Sequence, residues 1–198
     1  SVDLLMRHVV PHKDPHGDRF GAVLMAPCGF GKTYMGVRAC ITLTDSKKHK
    51  GLWEAGHAFY IVPNNIVKTQ WKNAIRKHRG ASNLITGFTH HQLRSKEAYT
   101  HIITKTETKT RVVLCLDEVH MYSKSDAPDE HSDTPEEGTN EQRLARGLRK
   151  ILNDLKGKKC TVVVIGLTAT WHRLTKDTMG SILSLPSSEG NVPEHHYN

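Results

Sequence analysis

A glycine-rich turn at residues 26–33, with the sequence Ala-Pro-Cys-Gly-Phe-Gly-Lys-Thr, carries residue types that can hold a phosphate chain. An apolar run precedes this turn and an amphipathic stretch follows it, which predicts a strand, a loop and a helix in that order. Gly29 and Gly31 permit backbone angles that aim successive N–H groups at one anion, and a helix N-terminus adds positive potential. The turn therefore predicts nucleotide binding; the alternative is a glycine-rich turn that holds no ligand.

The spacing of this turn is the Walker A pattern, with Ala26 at the position of the usual first glycine. Lys32 would reach the β- and γ-phosphates as a point charge, and the Thr33 hydroxyl would bind Mg²⁺. The predicted nucleotide-binding residues are Pro27, Cys28, Gly29, Phe30, Gly31, Lys32 and Thr33.

Two adjacent carboxylates, Asp117 and Glu118, end an apolar run at residues 112–116. Carboxylates at the end of a buried strand are costly unless a cation or hydrogen bonds compensate them. In sites of the Walker B type the Asp reaches Mg²⁺ and the Glu polarises the attacking water. Alone, the pair could equally be two solvated acids. Beside the phosphate loop it predicts a Mg²⁺-dependent site with Lys32, Asp117 and Glu118 as catalytic residues.

The chain has 198 residues, of which 37% are hydrophobic and 24% are charged, and this composition is typical of one globular domain. No apolar run approaches the ~20 residues that a membrane-spanning helix needs, so no membrane partner is expected. The four cysteines lie far apart without a C-x-x-C pair, which indicates neither a zinc site nor a disulfide framework. The cysteine pattern favours a reducing intracellular compartment, cytoplasm or nucleus.

The charge of the chain is uneven. Lys and Arg number 28 against 20 Asp and Glu, a net charge of +8. Residues 126–141 hold seven of those acids and no Lys or Arg, which leaves 13 acids elsewhere and a net +15 for the remainder. Such an excess favours a polyanionic partner such as nucleic acid, although an ordinary basic surface would give the same arithmetic.

Short apolar runs alternate with helix-like stretches, the pattern of a parallel sheet with crossover helices. The predicted fold class is α/β, with a mostly parallel central sheet flanked by helices. Strands are predicted at residues 22–26, 57–62, 83–86, 111–116 and 160–166, and helices at residues 32–43, 64–78 and 140–155. The last helix carries an apolar stripe that is expected to face the core, formed by Leu144, Leu148, Ile151, Leu152 and Leu155.

Two segments lack this periodicity. Residues 123–139 are rich in Ser, Asp, Glu and Pro and are predicted to form a mobile acidic insertion. Residues 186–198 are predicted to be a linker or tail, so the domain itself would span residues 1–185.

Three further motifs give the chain a family resemblance. The sequence Asp-Glu-Val-His at residues 117–120 resembles the DExH form of motif II in superfamily 2 helicases and translocases. Residues 166–170, Gly-Leu-Thr-Ala-Thr, resemble motif III, and residues 60–71 are similar to motif Ia, with Pro and a polar turn before Gln-Trp. The order and spacing agree with that family. The resemblance implies a RecA-like P-loop NTPase fold, the first such domain of a motor that uses ATP and Mg²⁺.

Within this superfamily, residues 166–177 look most like the corresponding segment of XPB-like and UvsW-like DNA translocases and of restriction-enzyme motor subunits, although Trp171 replaces the usual Pro. DEAH-type RNA helicases generally carry Ser-Ala-Thr in motif III. The resemblance therefore implies a DNA-directed motor. An RNA-directed DExH helicase domain and a non-hydrolysing nucleotide-binding module are the alternatives.

The resemblance also implies roles for individual residues. Glu118 would be the catalytic base, and His120, Thr168 and Thr170 would couple the nucleotide state to domain closure. Nucleic acid would lie across the face made by motif Ia and its neighbours, gripped by its backbone. The predicted contacts are Pro63, Asn64, Asn65, Thr86 and Gly87, with residues 89–93 as the alternative to the last two. The pairs His90-His91 and His195-His196 are expected to be surface pairs without a metal role.

Superfamily 2 motors use two RecA-like domains, and the second contributes motifs IV to VI and an arginine finger. The 198 residues accommodate only the first. Because such an arginine is worth ~10³ to 10⁵ in rate at related phosphoryl-transfer sites, this domain is expected to be nearly inactive unless a second one, from the same longer chain, joins it.

Overall fold

The computed structural model describes residues 19–44, 56–78, 83–107, 111–122, 138–170, 173 and 178–183. The strands are β1 (Arg19–Met25), β2 (His57–Val62), β3 (Ile85–Thr89), β4 (Arg111–Asp117) and β5 (Thr161–Thr168). They form one sheet in the order β1-β5-β4-β2-β3, and each pair of neighbours is parallel. The α/β class and the parallel sheet predicted from the sequence are confirmed.

Helices connect the strands. They are α1 (Lys32–Thr44), α2 (Asn65–Arg76), α3 (His90–Arg94), α4 (Glu97–Lys105) and α5 (Asn140–Gly157). A 3₁₀ turn (Val119–Tyr122) follows β4 and a π-helical turn (Thr178–Ile182) follows β5. Among the described residues, no helix is long and apolar enough to cross a membrane.

The sheet is covered on both faces, which explains why its central strands are apolar along their whole length. Alternate side chains of β4 enter two separate cores: Leu114 packs with α3, α4 and α5, and Val113 packs with α1 and α2. The apolar stripe of α5 lies in the first of these cores, and all five of its predicted residues are buried. The prediction that this stripe packs inward is confirmed.

Close packing against β2 fixes the place of α2. Trp71 of α2 is fully buried and stacks on Tyr60 of β2, with ring centroids 4.6 Å apart. Gly87 lies beside the same tyrosine in β3, where a Cβ atom would come within 1.9 Å of the Tyr60 ring. A side chain at position 87 would therefore displace the edge strand.

The element bounds differ from the predicted ones at several ends. β1 begins three residues before the predicted start at residue 22, and β3 occupies Ile85–Thr89 instead of residues 83–86. The shift of β3 follows from its pairing, because Ala58 lies opposite Ile85 and Val62 lies opposite Thr89. The helices α3 and α4 were not predicted, since both are short and lack a long apolar period.

Most of the predicted acidic insertion, residues 123–137, and the predicted tail at residues 186–198 lie outside the described residues. The insertion was expected to extend to Thr139. Thr139 instead begins α5 as its N-cap, because its hydroxyl accepts a hydrogen bond from the Gln142 N–H while the Gln142 side chain accepts from the Thr139 N–H.

Candidate functional site

The carboxyl ends of β1, β5 and β4 meet at one edge of the sheet and bring the candidate motifs together. Met25 lies opposite Thr168, and Leu167 lies opposite Asp117. The Ala26 N–H donates to the Thr168 carbonyl over 3.1 Å, which ties the start of the phosphate loop to the end of β5. The sheet order therefore places the loop, the threonine motif and the two acids side by side.

The phosphate loop is open toward solvent. Gly29 and Gly31 have φ angles of +85° and +80°, and a Cβ atom at either position would have no neighbour within 4 Å. These positive φ angles explain the two glycines, because L side chains rarely adopt them. Residues 27–30 are exposed, and α1 begins directly after Gly31 with the Met35 N–H donating to the Gly31 carbonyl.

Lys32 and Thr33, in the first turn of α1, are both half-buried. The Lys32 ammonium group donates to the Ala26 carbonyl over 3.3 Å, so the side chain folds back across the loop. Its charge also acts on Asp117, where it lowers the pKa of the carboxyl group. Lys32 thus lies between the open loop and the acidic strand end.

Asp117 is 7% exposed at the end of β4. Burial and the neighbouring Glu118 raise its pKa to about 6, against the smaller effects of a hydrogen bond from the Glu118 N–H and of Lys32. That hydrogen bond is 3.0 Å long, and Glu118 takes a φ of +51°, a conformation that L residues rarely adopt. A buried carboxylate with a raised pKa is stabilised by a cation, so these donors fit Mg²⁺.

His120 joins the acidic end of β4 to the threonines of β5. Its Nδ1 lies 3.4 Å from Glu118 Oε2, 3.3 Å from Thr168 Oγ1 and 3.4 Å from Thr170 Oγ1. The Thr170 N–H also donates to Thr168 Oγ1 over 3.0 Å. The three residues predicted to act together are therefore brought together, and Glu118 belongs to the same network.

His90 was missed as a part of this site. It was expected at the surface, but only 6% of it is exposed, and its ring meets that of Tyr122 edge-on at 5.5 Å. Burial lowers the pKa of His90 to about 4, against a hydrogen bond with the Asp117 backbone that raises it. The expectation failed because the short helix α3 turns His90 under β4; its neighbour His91 is exposed as predicted.

The predicted nucleic-acid contacts fall in two places. Asn64 is the N-cap of α2 and accepts hydrogen bonds from the N–H groups of Ile66 and Val67, each 3.0 Å long. Pro63, Asn64 and Asn65 directly follow β2, so they lie at its carboxyl end. Asn64 and Asn65 are exposed, and Pro63 is half-buried. This position is on the same sheet edge as the phosphate loop.

Thr86 and Gly87, by contrast, lie within β3, opposite Phe59 and Tyr60. They line a cleft of about 380 Å³ between β3 and α2 that also contains Lys68, Lys72 and Arg76. The alternative contacts at residues 89–93 begin at the carboxyl end of β3, where Thr89 caps α3.

Lys68 links α2 to α3. Its ammonium group donates to Gln92 Oε1 over 2.8 Å, and the same oxygen accepts from the Thr89 N–H. The Gln92 amide donates in turn to Glu97 over 2.7 Å. Gln92 therefore connects the start of α3 to α2 by hydrogen bonds, a role that no sequence pattern indicated.

A parallel α/β sheet with a glycine-rich loop, a lysine and paired carboxylates at its carboxyl edge defines a P-loop NTPase domain of the RecA type. The family model ResIII, described as the type III restriction enzyme res subunit, matches residues 7–173, and the chain belongs to this family. Membership makes it a helicase-like domain of the kind found in ATP-driven nucleic-acid motors. No curated protein matches the chain at a significant level.

Proposed function

We propose that the chain is the first RecA-like domain of a superfamily 2 motor that couples Mg-ATP hydrolysis to movement on DNA. The observation that carries this proposal is the network at the carboxyl edge, in which Glu118, His120, Thr168 and Thr170 lie within 3.4 Å of a neighbour while Lys32 and Asp117 flank the open loop. Residues 1–185 would form this domain, and residues 186–198 would link it to a second RecA-like domain.

In this proposal, residues 27–33 hold the triphosphate. Backbone N–H groups of the loop would donate to the phosphate oxygens, and Lys32 would move from the Ala26 carbonyl to the phosphates. Thr33 and Asp117 would hold Mg²⁺, which neutralises charge on the phosphate oxygens when bound. The raised pKa of Asp117 supports this role, because a divalent cation would restore the ionised carboxylate.

Glu118 is the proposed base. Its side chain is 32% exposed, so a water molecule can reach it, and His120 at 3.4 Å holds one of its oxygens. Accepting a proton from the attacking water would weaken this contact. His120 would then redistribute its hydrogen bonds between Thr168 and Thr170. In this way, hydrolysis at Glu118 would change the contacts at the end of β5.

DNA would cross the edge at Pro63, Asn64 and Asn65, with Thr86 and Gly87 as outer contacts. The exposed side chains of Asn64 and Asn65 at a helix N-terminus suit phosphate contacts that do not read bases. The preference for DNA rests on the motif III sequence. An RNA-directed motor is the competing assignment.

The test is ATP turnover in a polypeptide that also carries the second RecA-like domain, measured with duplex DNA, with single-stranded RNA and without nucleic acid at one salt concentration. We expect duplex DNA to give the largest stimulation. Stimulation by RNA alone would reassign the substrate, and turnover that neither polymer changes would contradict the motor assignment.

A further inference from the structure

A basic groove lies between α5 and the connection from α3 to α4, on the sheet face opposite α1 and α2. Its volume is about 70 Å³. The cations that line it are Arg94, Lys96, Arg143, Arg146 and Lys150, and the aromatic ring of Tyr99 lies among them. We call it the α5 groove.

The spacing along α5 produces this groove. Arg143, Arg146 and Lys150 follow one another by three and four residues, which places them on one face of the helix. Gly147 lies between them, where a Cβ atom would come 3.2 Å from the Leu93 carbonyl. The glycine lets α3 approach α5 closely, so cations from both helices line one narrow groove.

Four of the five cations of the groove are not paired with a carboxylate of the described residues, although the Lys150 ammonium group lies over the Tyr99 ring, 4.7 Å from its centroid. No carboxylate of the described segments lies within ion-pair distance of Arg94, Lys96, Arg143 or Lys150. The nearby acids are otherwise engaged: Asp154 accepts a 2.6 Å hydrogen bond from Tyr99, and Glu97 accepts one from Gln92. The Arg143 Nε atom is buried without an acceptor. Cations gathered in one groove repel each other, and an anionic ligand would relieve that repulsion.

We propose that the α5 groove binds the phosphodiester backbone of a nucleic acid, as a second contact surface beside the N-terminus of α2. Guanidinium groups match phosphate oxygens in two-point hydrogen bonds. From Arg143 to Lys150 the helix rises about 10 Å. Along the axis of B-form DNA, that distance spans roughly three phosphates of one strand. The charge is therefore spread along a line, as an extended polyanion requires.

The groove is connected to the proposed motor surface through α3. The start of α3 is fixed to α2 by the hydrogen bond from Lys68 to Gln92, and Arg94 at its end lines the groove. A strand that leaves Asn64 could thus pass over α3 into the groove. This inference rests on the proposed function, because it extends the path of the same nucleic acid.

The experiment uses the full chain and a fluorescently labelled duplex of mixed sequence, with the dissociation constant measured across a salt series. In the double variant Arg143→Ala, Lys150→Ala we expect binding to weaken roughly five- to tenfold and the salt slope to fall by about 1 to 2. Lys156→Ala removes an exposed lysine from the far end of α5 and serves as the matched control, with less than a twofold effect expected.

A second variant pair guards against a folding defect. Arg143→Lys keeps the charge but loses the two-point hydrogen bond, so its affinity should lie between those of the unmodified chain and Arg143→Ala, whereas Arg143→Glu should weaken binding more than Arg143→Ala does. If groove and control variants weaken binding equally, the groove is not a contact surface, although the motor assignment stands. If the unmodified chain binds no nucleic acid at low salt, both the groove and the proposed function are contradicted.

Discussion

Asp117 and Asn64 follow neighbouring strands of the same sheet, yet they affect the stability of the fold in opposite ways. Asp117 is buried, and its pKa of about 6 means that the ionised form is disfavoured in the folded chain. Asn64 is exposed and accepts two hydrogen bonds that satisfy the first turn of α2. At the proposed nucleotide site, the ionised carboxylate of Asp117 therefore lowers the stability of the fold. At the proposed nucleic-acid site, the Asn64 side chain contributes to that stability.

This contrast separates function from stability. Removing charge from the acidic end of β4 should abolish activity and strengthen the fold. Removing a polar group from the start of α2 should weaken the fold whether or not nucleic acid is bound.

The largest effect is expected from Glu118→Gln, which keeps the shape of the side chain and removes the proposed base. We expect turnover to fall by roughly 10² to 10⁴ with nucleotide affinity retained. The measurement is steady-state ATP hydrolysis in the two-domain polypeptide with duplex DNA. Glu107→Gln, an exposed glutamate of the same domain, is the control and should keep its activity. Equal turnover in the two variants would exclude Glu118 as the base.

His90 connects the two regions, since it begins α3 and bonds to the Asp117 backbone. Its pKa is about 4 in the folded chain against 6.5 in a free histidine, so the unfolded chain gains a proton first as pH falls. The resulting loss of stability begins near pH 6.5 and is complete below pH 4, at about 3 kcal/mol.

Urea unfolding of the unmodified chain and of His90→Gln from pH 7 to pH 4 measures this loss. The difference between their unfolding free energies should move in favour of the variant as pH falls. The exposed His91 provides the control, because His91→Gln should leave the pH dependence as it is in the unmodified chain. A constant difference between the unmodified chain and His90→Gln would show that His90 is not held neutral.

Asp117→Asn should stabilise the ligand-free chain by about 2 to 3 kcal/mol at pH 7 and abolish turnover. The folded pKa of Asp117 lies above its ordinary value, so its destabilising effect is fully present above pH 6 and disappears as pH falls toward 4. Unfolding free energies at pH 7 and pH 4 check both statements. Asp154→Asn is the matched control, and no gain is expected there because Asp154 holds Tyr99. If Asp117→Asn were less stable than the unmodified chain at pH 7, Asp117 would not destabilise the fold, and it would not differ from Asn64 in this respect.

The smallest effect is expected from Asn64→Ala, which removes the cap of α2 and should cost about 1 kcal/mol of unfolding free energy. Asn64→Asp retains the capping oxygen and should restore most of this stability. The negative charge should nevertheless weaken nucleic-acid binding if phosphates pass this point. Full duplex affinity in Asn64→Asp would place the nucleic acid elsewhere.

The candidate nucleotide site was the more predictable region, because its residue types and spacing match a phosphate-binding loop and a pair of metal-binding acids. The phosphate loop and the two acids at the end of β4 were identified from residue type and spacing, the threonines at the end of β5 were identified from the family resemblance, and the parallel sheet brings all of them to one edge. The proximity of His120 to both threonines was implied by the family resemblance, since residues 48 and 50 positions apart have no local pattern in common.

The edge of the sheet formed by β3, with the helix α3 that follows it, was less predictable. The register of β3 depends on its pairing with β2, and the short run at residues 83–86 gave the wrong bounds for this strand. The burial of His90 and the link from Lys68 to Gln92 depend on where α3 packs, which a five-residue helix does not reveal in its sequence. Contacts with a phosphate backbone require no particular side chain. The proposed nucleic-acid contacts are therefore harder to recognise in the sequence than the nucleotide-site motifs are.

The most direct test of the account is the affinity of this chain for Mg-ATP, measured by isothermal titration calorimetry. We expect the unmodified chain to bind and Lys32→Ala to bind roughly 100-fold more weakly, because the phosphates lose a charge-assisted contact. Lys105→Ala, an exposed lysine at the end of α4, should bind as the unmodified chain does. Equal affinity in Lys32→Ala and Lys105→Ala, or no binding in the unmodified chain, would contradict the assignment of a nucleotide site to this edge of the sheet.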